Sequence, residues 1–162
     1  MRLFFECAIK HQISSDDGKL KKFNYLVEAE TYTEAEKNCY TIMRDMGFES
    51  FSIEKISKTD VNEVYLENNS ETSRYFSVKL ATTGIDEESG EEVTINKYHY
   101  VILSNDVEPV ARFAKGLFTV DDVTILQQKR TNITKYYDRE ELRQIEQTIG
   151  LTPVAEVEDE DI

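Results

Sequence analysis

The stretch "IEKISKTDVNEVY" (residues 53–65) returns 72 positions later as "ILQQKRTNITKYY" (residues 125–137). Ile53 aligns with Ile125, Thr59 with Thr131 and Tyr65 with Tyr137. Between them, Lys58/Arg130, Asp60/Asn132 and Val61/Ile133 match in size or chemistry. A chain of 162 residues that says the same thing twice invites reading as a duplication.

Working outward, the flanks repeat as well. Residues 3–9, "LFFECAI", alternate with Leu3, Phe5, Cys7 and Ile9 on one face, the period of a half-buried strand. "SSDDGK" (14–19) is a turn cluster, and "LKKFNYLVEA" (20–29) is the returning strand, with Phe23, Tyr25 and Val27 inward. A helix follows. Thr33 and Glu36 form a capping box, Ala35, Cys39, Ile42, Met43 and Met46 fall on one stripe, and Gly47 supplies the stop. "FSIEKIS" (51–57) is a third strand, followed by a short extended piece at 59–67. The second half repeats the order. "YFSVKLA" (75–81) puts Phe76, Val78 and Leu80 inward, "DEESGEE" (86–92) is an acidic hairpin tip, and "VTINKYHYVIL" (93–103) returns. A second helix is expected from Asn105 or Asp106, with Pro109 in its first turn and Val110, Phe113, Ala114 and Leu117 as its stripe. "VTILQQKR" (123–130) is the matching third strand. Phe5 then aligns with Phe76, Tyr25 with Tyr100 and Lys37 with Arg112.

The expected fold class is α+β. Two β-β-α-β repeats (1–69 and 70–137) are related by pseudo-twofold symmetry, their antiparallel sheet carrying helices on one face. One such repeat has little third dimension to bury, so the two are expected to share one core as a single globular domain. An extra C-terminal helix (138–150) has Asp138 and Glu141 as a capping box and Leu142, Ile145 and Ile149 as its stripe. A disordered acidic tail (151–162) completes the chain.

"YLVEAETYTEAE", "IEKISKTDVNEVY" and "YFSVKLATTGIDEESGEEVT" resemble a family of small proteins of unknown function from Bacteroidota and their phages. The resemblance covers roughly residues 4–135. It implies a duplicated cytoplasmic α+β domain and carries over no catalytic residue.

Charge and motifs narrow the function classes. The formal net charge is −13, and the last seven residues, "EVEDEDI", hold five acids. Without them 27 acids face 19 bases, so the body repels phosphates except at a local basic stripe. No phosphate loop, dinucleotide fingerprint, zinc-protease, Cys-x-x-Cys or nucleophile-elbow pattern occurs. His11 and His99 sit in different halves, and Cys7 and Cys39 lie on apolar stripes, as core thiols do. No apolar run reaches the length of a membrane span, and the N-terminus lacks a signal peptide's apolar stretch. The expectation is a cytoplasmic binding protein, not an enzyme, without metal or cofactor and without membrane association.

The outward sheet face supplies the candidate site. With Phe5 and Phe76 inward, Phe4 and Tyr75 point the other way as stacking rings, and Lys22 and Lys97 are equivalent outward cations. Lys58 and Arg130 stand at the matched ends of the third strands. Rings flanked by cations suit sequence-tolerant binding of single strands. Glu6 and Glu28 on the same face oppose it. The leading expectation is a single-stranded nucleic-acid-binding accessory protein. Its tail (Glu156, Glu158, Asp159, Glu160, Asp161 and Ile162) recruits replication proteins. The alternatives are an acidic inhibitor or nucleic-acid mimic acting on a basic host protein, and a small-ligand binder at the repeat interface.

Overall fold

The computed structural model describes residues 2–13, 19–67, 69–105, 116 and 123–150. The expected turn at 14–18, the second helix with Pro109, Val110, Phe113, Ala114 and Leu117, and the acidic tail lie outside the described residues. In chain order the elements are β1 (Leu3–Gln12), β2 (Leu20–Ala29), α1 (Tyr32–Met46), β3 (Phe51–Lys58), β4 (Glu63–Leu66), β5 (Arg74–Ile85), β6 (Glu92–Ser104), β7 (Val123–Arg130), β8 (Ile133–Tyr137) and α2 (Arg139–Gly150). The fold is mixed α+β, with two four-stranded sheets. The chain divides into two compact units, residues 1–59 with 134–162, and residues 60–133. Among the described residues, no helix is long and apolar enough to cross a membrane.

In the first unit the strand order is β3-β1-β2-β8. The β1–β2 register sets Phe5 opposite Val27, Cys7 opposite Tyr25 and Ile9 opposite Phe23, so the alternating residues gather on one face as their period requires. That face packs against Ala35, Cys39, Ile42 and Met43 of α1 and against Tyr137 and Leu142. The C-terminal helix thus belongs to this unit's core. Both cysteines are fully buried there, and the neighbouring Cys39 thiol together with burial pushes the Cys7 thiol up.

The N-terminus of α1 starts earlier than expected. "TYTEAE" offers two Thr-x-x-Glu frames, and the first is used: Thr31 is the cap, its Oγ1 accepting from the Glu34 N–H at 3.0 Å. The Glu34 carboxylate accepts from the Glu30 N–H at 2.7 Å. Gly47 ends the helix at φ +79, and the amides of Gly47 and Phe48 donate to the Arg44 and Met43 carbonyls. Asp138 caps α2 as expected, accepting from the Glu141 N–H at 2.7 Å.

In the second unit the order is β4-β6-β5-β7. Phe76, Val78, Leu80, Tyr100 and Ile102 form its core, with Tyr65, Tyr98, Val123 and Ile125 packed on them. β5 pairs antiparallel with β6 and β7, but β4 runs parallel to β6, so this sheet is mixed and not antiparallel throughout. An edge strand of four residues can add in either direction, because the backbone groups it meets are the same.

The repeated stretch makes matching contacts. The N–H and Oγ1 of Thr59 both donate to the Phe4 carbonyl, at 2.9 and 2.7 Å. Those of Thr131 both donate to the Tyr75 carbonyl, at 2.9 Å each. Bulges match too: Glu54 of β3 is the extra residue opposite Ala8/Ile9, and Leu126 of β7 the extra residue opposite Lys79/Leu80. The second face of each sheet is largely covered as well. Phe4, Ala8 and Leu26 are buried, and so are Ser77, Ala81, Val101 and Leu103.

Candidate functional site

The segment entering β4 builds the most distinctive polar constellation. Asn62 closes the edge of β6, its N–H donating to the His99 carbonyl and its Oδ1 accepting from the His99 N–H, both at 2.8 Å. This brings Asp60 against the imidazole, with Asp60 Oδ1 2.6 Å from Nδ1. A carboxylate can only accept, so Nδ1 carries a proton, and Nε2 lies 2.7 Å from the Ser77 hydroxyl oxygen. The His99 hydrogen bond holds the Asp60 carboxyl below its usual range. Burial opposes this, while the charges of His99 and Lys79 assist it.

Ser77, His99 and Asp60 have the spacing of a nucleophile–base–acid chain, but their exposure is reversed. In a hydrolytic triad the hydroxyl faces substrate and the carboxylate is buried. Here Ser77 is 5% exposed, whereas the Asp60 side chain is 76% exposed. The serine anchors the ring from behind and the carboxylate faces solvent. The arrangement can fix an imidazole; it does not present an activated hydroxyl.

His99 forms one wall of a cleft of about 400 Å3 lined also by Asp60, Asn62, Lys79, Lys97 and Leu126, with Leu80 and Tyr98. Lys79 stands directly across the ladder from His99, and Lys97 across from Ala81. Leu126 lies at the β7 bulge and is 53% exposed. Among the described residues neither lysine has a carboxylate within ion-pairing distance. Two cations, an imidazole edge and an apolar residue can receive an anion attached to a flat or aliphatic body. The groove between α1 and α2, about 380 Å3, is by contrast occupied by internal ion pairs: Arg139 with Glu30 and Glu34, and Lys37 with Glu146. Among the described residues, no group of three or more His, Cys, Asp or Glu side chains could hold a metal ion.

The expected site residues scatter. Lys97 lines the cleft. Lys22 is exposed opposite Lys10, while Lys58 and Arg130 are exposed opposite Phe5 and Phe76. Tyr75 is half-buried. Phe4 does face away from Phe5, but it is fully buried, 6.0 Å from the Tyr136 ring and under the Arg2 guanidinium, so it offers no open stacking face. The residues Glu156 to Ile162 lie outside the described residues. Ser77, Asp60 and Asn62 were not picked out from the sequence. The available signal was that Ser77 and Lys79 share a face of β5 while Asp60 sits in the repeated stretch. Their meeting depends on pairings 22 and 39 residues apart.

The sequence signature of a domain of unknown function, DUF4494, matches residues 3–139. No curated protein matches the chain.

Proposed function

The chain belongs to the DUF4494 family, and from the geometry of its second unit we propose that it is a non-enzymatic, single-stranded nucleic-acid-binding accessory protein. The observation that carries this reading is the pair Lys79 and Lys97 beside His99, two cations sharing one cleft with no carboxylate within ion-pairing distance among the described residues. A cleft of about 400 Å3 suits one or two nucleotides of a flexible strand, whereas reading a duplex groove calls for a protruding helix or ribbon bearing donors. Of the residues expected from the sequence, Lys97 lines this cleft, whereas Phe4, Lys22, Lys58, Tyr75 and Arg130 are not among its lining residues. The buried position of Ser77 supports binding over catalysis. The free, buried Cys7 and Cys39 suit the reducing cytoplasm. The tail, Glu156 to Ile162, is the proposed partner-recruiting segment.

The chain is further read as an internal duplication in which each repeat lends its last strand to the other's sheet. The strand orders support this, since β3-β1-β2-β8 maps onto β7-β5-β6-β4, as do the matched threonine contacts and bulges.

Anisotropy titrations of labelled single- and double-stranded oligonucleotides across a salt series test the function. Single strands should bind more tightly. Lys79→Ala with Lys97→Ala should weaken binding and flatten the logarithmic salt slope by about 1.4. Absence of single-strand binding at low salt, with the tail present or deleted, would overturn the reading. The acidic inhibitor would then take its place, favoured by the net charge of −13.

A further inference from the structure

The β5–β6 hairpin outruns its own sheet. Among the described residues, β7 accompanies β5 no further than Thr82, and β4 meets β6 only from Tyr100 to Leu103. Beyond them the chain forms a two-stranded ribbon, with Thr83 opposite Thr94, Gly84 opposite Val93 and Ile85 opposite Glu92. Its tip is well made. The Gly90 N–H donates to the Asp86 carbonyl at 2.7 Å, the Asp86 N–H donates to the Glu91 carbonyl at 2.9 Å, and Gly90 takes φ +75.

Apolar side chains stand exposed on this ribbon: Ile85 at 66%, Ile95 at 60% and Val93 at 42%. Ile95 is the extra residue of the bulge between Thr82 and Thr83. It lies close over Gly84, where an added Cβ would sit 2.8 Å from its Cδ1, so the missing side chain lets the isoleucine lie across the ribbon. An isolated two-stranded ribbon is marginal in water, and its open edges invite a partner. The charges select that partner. Residues 82–96 contain five acids (Asp86, Glu87, Glu88, Glu91 and Glu92) and no Lys or Arg.

We propose that this arm docks on a basic protein surface, seating Val93 and Ile95, which share the Gly84 face of the ribbon, on an apolar strip rimmed by Lys or Arg. Apolar burial supplies the attraction and the carboxylates supply the choice of partner. A second copy is disfavoured because each chain carries −13, and nucleic acid is disfavoured by the same acids. This surface is separate from the lysine cleft and does not depend on nucleic-acid binding.

The test uses the full chain and a labelled heptapeptide of alternating Lys and Ile, with heptalysine as the charge-only probe and alternating Glu and Ile as the reverse. The Lys–Ile peptide should bind tightest, with amide shift changes confined to residues 82–96. Val93→Ser with Ile95→Ser should weaken it roughly 10-fold or more. Glu87→Lys with Glu88→Lys, at an exposed tip, should do so by charge and guards against a folding defect in the serine variant. Oligonucleotide binding should not fall in either variant. Equal binding of heptalysine, shift changes elsewhere, or unchanged affinity in both variants would overturn the proposal. So would a dimer in sedimentation that dissolves with the serine substitutions, since a second copy would then be the occupant.

Discussion

Glu28 is the buried charge on which the first unit leans, and Glu28→Gln is the perturbation that isolates it. The residue is 6% exposed, and its carboxylate accepts from Arg2 Nε at 2.8 Å and from the Arg139 N–H at 3.0 Å, tying β2 to the chain's N-terminal end and to the start of α2. Burial pushes its pKa up. The Arg2 hydrogen bond, the Arg139 amide and both guanidinium charges outweigh that, and the carboxyl stays below its usual value. Hydrogen bonds to a charged group are worth about 1.5–3 kcal/mol each, against about 1 kcal/mol for neutral ones. The amide keeps one acceptor oxygen, and the Arg2 side chain, 49% exposed, can rehydrate when the charge goes. Discounted for that exposure, the loss should be about 1–2 kcal/mol at neutral pH. A depressed native pKa contributes stability that is complete above the unfolded value, near pH 4.3, and lost as pH falls through the lower native value. Urea-unfolding midpoints of both proteins, compared at neutral pH and at about pH 3, check the magnitude and its sign together. A gap under about 0.3 kcal/mol at neutral pH, or one that persists undiminished in acid, would refute the reasoning.

Gly47→Ala should cost about 1 kcal/mol in the same urea assay, because its Cβ meets nothing within 4 Å and only the left-handed backbone is strained; Gly47→Asn should cost less. Thr59→Val and Thr131→Val should each lose about 1 kcal/mol with the bond to the Phe4 or Tyr75 carbonyl. At Thr131 the Oγ1 also accepts from the Ile133 N–H, and a loss there under about 0.3 kcal/mol would contradict these bonds. A fragment ending at Asn69 lacks Tyr137 and Leu142 of the first unit's core, so it should show poor amide dispersion and no cooperative unfolding; a sharp transition would show that β8 and α2 are dispensable.

Much of the fold was legible because its signals are local. Alternation in "LFFECAI" placed Phe5, Cys7 and Ile9 inward, the Ala35–Cys39–Ile42 stripe marked the buried face of α1, and Gly47 and Asp138 marked helix ends. A strand's period decides which residues share a face, and a stop needs only one residue able to take positive φ. The cap of α1 was misplaced for a local reason too, since Thr31 and Thr33 both begin a valid frame.

Burial of the opposite face was not legible. Phe4 alternates away from Phe5 as read, but period alone cannot say whether that face meets water, and the ring proved fully buried. Nor could it show that β4 lies parallel to β6, or that Asp60, Ser77 and His99 form one hydrogen-bonded chain. Sequence by itself determined β1, β2, α1, β3 and α2, the inward faces of β1 and α1, and the recurrence of Thr59 as Thr131, because each depends on residues a few positions apart. Tertiary structure alone decided which sheet each terminal strand joins and which polar groups meet at Lys79 and Lys97. Those outcomes rest on pairings tens of residues apart, where backbone donors and acceptors are alike and only the packed chain selects among them.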